Sequence, residues 1–196
     1  MAYSKVKIYN VALCNLGVST TIQNSVEESP LGIILNNYYE IARDTVLEAH
    51  DWSFANATTE VSIAAYKPEN PNYLYAFNYP NDCIAPRAII DIHDNKEKKV
   101  EPAIDSTGKK ILLANSNPCI LRYTKRVVNE TFFTAPFVNA LGHYLAYMSA
   151  QAIVGSENKK NSCLQDYQMA IRQAIVTDAR KTEIKDEDDK DYTDYR

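Results

Sequence analysis

The side chains of this 196-residue chain best suited to nucleophilic, acid–base or metal chemistry are Cys14, Cys83, Cys119 and Cys163, with His50, His93 and His143. A dithiol redox centre or a zinc ribbon needs thiols within a few residues of one another. Here the closest pair, Cys83 and Cys119, is 36 residues apart, and the histidines are equally scattered. Small buried thiols in a reducing compartment are the plain reading. The compact ionisable groupings outside the C-terminus are Glu27-Glu28 and His50-Asp51. Adjacent residues on a helix point in different directions, so His50 and Asp51 are poorly placed to share a substrate, and helix capping or surface pairing accounts for them. The five glycines build no phosphate-cradling loop, and neither GxSxG nor HExxH occurs. No catalytic, cofactor-binding or metal residue is therefore assigned, and the expectation is a protein that is not an enzyme. An enzyme would need distant groups to converge, such as His143 with Cys119 or Cys163.

Binding chemistry has more candidates. Lys96, Lys98 and Lys99, then Lys109-Lys110, then Arg122, Lys125 and Arg126 around Tyr123 form loose basic clusters. Such a strand could touch single-stranded nucleic acid, although lysine-rich turns and edge strands carry the same pattern. Tyrosine is abundant, 14 against five Phe and one Trp. Tyr73, Tyr75, Phe77 and Tyr79 alternate along one face, either as a core face or as an exposed partner-binding row between flanking prolines. The last fourteen residues hold seven acids and three bases, so the whole formal charge of −4 resides there and residues 1–182 are balanced. That end has the composition of a solvated, extended tail. Its Asp188, Asp189, Tyr192 and Tyr195 are candidates to lie against a neighbouring protein.

The elements that must position these residues follow from periodicity. With 45% hydrophobic and 23% charged residues the chain is globular, and no apolar run approaches the roughly 18 residues of a membrane span. No secretory leader is read at the N-terminus. Ser4 to Leu16 reads as a helix capped by Ser4 and ended by Gly17. Leu31, Leu35, Tyr38, Ala42 and Val46 step along a second, with Ser29 as N-cap and Pro30 at its first position. Val138, Leu141, Leu145, Met148 and Ala152 mark a third, closed by Gly155. Leu164, Tyr167, Ile171 and Ala174 mark a fourth, joined to the third by so short a connection that the two form an antiparallel hairpin. Between them the period falls to two, with runs at Val61–Ala65, Cys83–Ile92, Ile111–Ala114 and Cys119–Tyr123 separated by turns. The fold class is thus α+β: an antiparallel bundle of about four helices from residues 1–53 and 134–182, an inserted small antiparallel β domain at 54–133, and the acidic tail at 183–196.

Motifs in order along the chain carry a resemblance. ALCNLG at 12–17, EESP at 27–30, YEIARD at 39–44 and HDWSFA at 50–55 come first. Tyr79-Pro80, Asp82-Cys83, LRYT at 121–124, FTAPFV at 133–138, Ala140-Leu141, Leu145-Ala146 and Gly155-Ser156 follow. Over residues 12 to 181 the chain resembles the tail tubular protein A family, head-to-tail adaptors of short-tailed phages. The acidic tail lies outside the match. The resemblance implies a structural virion protein of the phage neck, assembled in the host cytoplasm as a homo-oligomeric ring, typically a dodecamer. Its implied partners are the portal protein above and a tail nozzle or second ring below, with DNA passing through the lumen unread. A Lys-, Asn-, Ile- and Tyr-rich composition suits an A+T-rich genome, of which crAss-like phages are one setting. The alternative is a nucleic-acid-binding or other virion-associated interaction module that forms no ring.

Overall fold

The computed structural model describes residues 2–24 and 29–190, with side chains up to residue 180. The chain divides into two compact units, a helical one from residues 1–54 and 127–196 and a β unit from 55–126. Residues 127–133, including a 3-10 turn at Glu130–Phe132, belong to the helical unit.

The described part of the helical unit has four α-helices: α1 Lys5–Leu16, α2 Pro30–Glu48, α3 Ala135–Ile153 and α4 Glu157–Lys190. The starts and stops are local chemistry. The Ser4 hydroxyl accepts from the Lys7 N–H, and the Ser29 hydroxyl from the Gly32 N–H, each meeting an otherwise orphaned donor of the first turn. Gly17 ends α1 at φ 79°, a backbone conformation that a side chain resists. Gly155 does the same after α3 at φ 67°, so α4 starts at once and doubles back on α3. Nothing halts α4 at residue 182, because no Gly or Pro occurs between 157 and 190 and Glu and Lys favour helix. The extended tail read from charge alone is therefore corrected: the helical backbone continues through Lys190, and residues 191–196 lie outside the described residues.

Helix α3 packs against α1, α2 and α4. Its buried residues include Phe137, Leu141 and Leu145 together with the small Ala140, Gly142, Ala146 and Ala150, which let neighbours come close. At Gly142 the approach is tightest: a Cβ there would stand 2.5 Å from Cγ1 of Val11 on α1. The buried Ser149 hydroxyl donates back to the Leu145 carbonyl at 2.7 Å, so burial leaves it bonded.

The β unit is two antiparallel sheets. One has the order β1 (Asn56–Glu60), β7 (Cys119–Lys125), β3 (Cys83–Asp91), β4 (Glu97–Lys98). The other has the order β2 (Tyr75–Asn78), β6 (Lys110–Ala114), β5 (Glu101–Ile104). Ile89, Cys119, Leu121 and Tyr123 of the first sheet pack with Phe77, Leu112 and Ala114 of the second. The outer face of the second sheet is covered as well, by Ala64, Tyr66 and Tyr73, which is why Ile111 to Ala114 are all buried without alternation. Pro86, which cannot donate to a ladder, sits where the β3–β7 register shifts. The alternation at Val61–Ala65 is not a strand of its own. Ala64 N–H donates to the Ala76 carbonyl and Asn78 N–H to that of Ser62, so the segment crosses from one sheet to the other and leaves Ile63 exposed. The entry and exit of the unit are tied by the Lys125 N–H bond to the Ala55 carbonyl, 2.8 Å.

Candidate functional site

His50, the residue nearest to a catalytic pairing in the sequence, sits just after α2, where Trp52 is fully buried and donates from Nε1 to the Val46 carbonyl at 2.9 Å. The edges of the Trp52 ring meet His50 at 5.0 Å and Phe137 at 5.2 Å. Across from them Asp178 of α4, 4% exposed, accepts from the Ser53 N–H at 2.8 Å and its hydroxyl at 2.7 Å, with His50 Nε2 at 3.7 Å. Serine, histidine and aspartate thus meet, but in the wrong order for nucleophilic catalysis: the hydroxyl donates its hydrogen bond to the carboxylate instead of to the imidazole. The arrangement clamps the residues after α2 onto α4.

Cys119 lies in the β unit, whereas His143 and Cys163 lie in the helical unit. Burial pushes the Cys119 thiol up to about 11 and raises those of Cys83 and Cys163, which keeps them protonated and poor nucleophiles. Burial likewise lowers the pKa of His143, and the charge of Asp166 offsets this in part. All four cysteines are free, and among the described residues no three His, Cys, Asp or Glu side chains are grouped to hold a metal ion.

The basic strand is largely neutralised within the β unit. Lys98 pairs with Asp91 and, at 3.3 Å, with Asp94; Arg122 with Glu97 at 2.7 Å; Lys125 with Asp82 at 3.3 Å; Lys99 with Glu101 at 3.5 Å. Thr124 is buried and accepts from Arg87 Nε at 2.8 Å. What the fold brings together is a different set. Lys109, Lys110 and Arg126 line a groove of about 270 Å³ with Tyr79 and Cys83. Lys110 Nζ stands 5.6 Å over the Tyr79 ring, and Lys109 Nζ donates to Asn78 Oδ1 at 3.2 Å. Tyr79 also walls an adjoining apolar hollow of about 160 Å³ with Pro102, Ala103 and Ile104. Spacing along the chain held no sign of this assembly, since its residues come from a turn and three strand ends.

Of the two alternatives for the tyrosine row, the packing is that of a core face. Tyr75 and Tyr79 lean on the core that Phe77 enters, while Tyr73 packs on the opposite side of the second sheet and donates to Glu101 Oε2 at 2.8 Å. All three remain half-exposed at the edge. Asp188 and Asp189 fall on the backbone of α4, beyond the described side chains, and Tyr192 and Tyr195 lie outside the described residues.

Two apolar surfaces escaped the reading of the sequence. On α2, Ile34, Tyr38 and Ile41 step by four and three beside the buried stripe, with Ile41 57% exposed and Ile33 exposed next to them. On α4, Met169 and Val176, seven residues apart and so on one face, are 63% and 50% exposed. The signal was present as apolar residues off the core register. Among the described residues no helix is long and apolar enough to cross a membrane. The chain matches no family model and no curated protein.

Proposed function

We propose that this chain is a structural subunit of a phage head-to-tail connector, repeated as a ring, of dodecameric order, between the portal and the tail nozzle or a second ring, with DNA passing through the lumen. The observation that carries the reading is the set of exposed apolar side chains on different helices of one unit, Ile33 and Ile41 on α2 and Met169 and Val176 on α4. Two unlike patches on one subunit are what a head-to-tail contact between copies requires, and such a contact closes into a ring when its rotation divides the circle. The motif resemblance and the architecture, a helical bundle interrupted by an antiparallel β insertion, support the same reading. The polar clusters agree with it, because Asp178 with Ser53 clamps structure and the ion pairs of the β unit are internal. Ile41→Glu and Met169→Glu provide the test. Each places a charge in the proposed contact and should weaken association by about thirtyfold per interface while leaving the monomer folded. Light scattering with circular dichroism reads both; unchanged assembly in both variants refutes the stripes as the contact.

A further inference from the structure

We infer that the basic groove of the β unit receives the acidic C-terminal segment, residues 183–196, of a neighbouring copy. This rests on copies of the chain assembling, as proposed above.

The groove has two subsites, and the segment has two matching features. Lys109, Lys110 and Arg126 converge on the polar side, and Asp82 nearby is engaged by Tyr123 at 3.1 Å and Lys125 at 3.3 Å. The adjoining hollow is lined by Tyr79, Pro102 and Ile104, and Ile104 is 68% exposed. A ligand suited to both is anionic and carries a ring a few residues from its charges. The segment DEDDKDYTDY at 186–195 has that pattern, with Asp189 and Asp191 just before Tyr192. Charge complementarity points the same way: the chain's entire net charge lies in this segment, and the rest is balanced. Nucleic acid fits less well. Lys110 already stands over the Tyr79 face on which a base would stack, and the neighbouring basic residues are paired with acids instead of tracking a backbone.

The test mixes full-length chains, half of them ¹⁵N-labelled, and joins carboxylates to amines with a zero-length carbodiimide. Expected are amide links between Lys109 or Lys110 and acids of residues 183–194, half of them of mixed isotope. Arg126→Ala, which keeps both lysines and adds no competing carboxylate, should lower their yield about fivefold. Assembly is followed on the same mixture by light scattering. Assembly with no such links, or with links of a single isotope only, overturns the inference and leaves the connector reading intact. Absence of both assembly and links overturns the two together. A 5′-phosphorylated single-stranded oligonucleotide captured at Lys109 or Lys110 by the same reagent, while the segment is not, also overturns it, in favour of nucleic acid.

Discussion

A carboxylate that accepts two hydrogen bonds from one residue while nearly buried has little choice of conformation, and Asp178 is in that position against Ser53. Hydrogen bonds to a charged group are worth about 1.5–3 kcal/mol each in such settings. Asp178→Ala should therefore lose about 2–4 kcal/mol in urea unfolding, and Asp178→Asn, which keeps an acceptor, distinctly less. Equal losses would mean that packing, not the carboxylate, holds the clamp. Asp91 makes a pH-dependent contribution in the other unit. The Lys98 ammonium and the His93 N–H hold its carboxyl well below the usual range. A depressed carboxyl stabilises the fold above its unfolded pKa, roughly 4, and that contribution is lost as pH falls below it. Asp91→Asn should thus flatten the fall in stability between about pH 4 and 2 relative to the parent chain, measured by denaturant titration at each pH. An unchanged slope would show that Lys98 does not bind the charged form selectively.

At the scale of elements the α1–α3 contact is the most demanding, because Val11 occupies the space where residue 142 would carry its Cβ. Gly142→Val should cost about 2–3 kcal/mol despite valine's better helix propensity, since two helices would have to part. Val11→Ala should relieve it, so that the double variant is more stable than Gly142→Val alone, with melting temperature as the readout. Helix ends were legible in the sequence because caps are local: Ser4, Ser29, Gly17 and Gly155 stand where they were expected. Faces were legible only in part. On α2 the buried line runs through Leu35, Tyr39, Ala42 and Val46, and Tyr38 lies beside it; on α3 Ala146 and Ala150 are buried where Met148 and Ala152 were expected. Single apolar positions mark an axis well but not which of two adjacent rows meets a neighbour. Strands were harder. β4 is only Glu97–Lys98 and β5 only EPAI, too short to show a period of two although each pairs locally with an adjacent strand, and β2 hides in the tyrosine row. The groove of Lys109, Lys110 and Arg126 was not legible at all, because it exists only once the two sheets are stacked.

For the whole molecule the balance is between a self-sufficient fold and surfaces that fold alone does not explain. Each unit has its own buried core, from Phe137 and Leu141 in one to Ile89 and Leu112 in the other. Ile41, Met169 and Val176 nevertheless stay in water in the isolated chain. Burial between copies, as proposed above, would cover these side chains on two helices of one unit. Native mass spectrometry of the purified full-length chain, alone and mixed with portal protein, measures the claim directly. A connector subunit gives one closed species of fixed copy number, near twelve, formed spontaneously or on the portal. A chain that stays monomeric at every concentration and with portal present would contradict it.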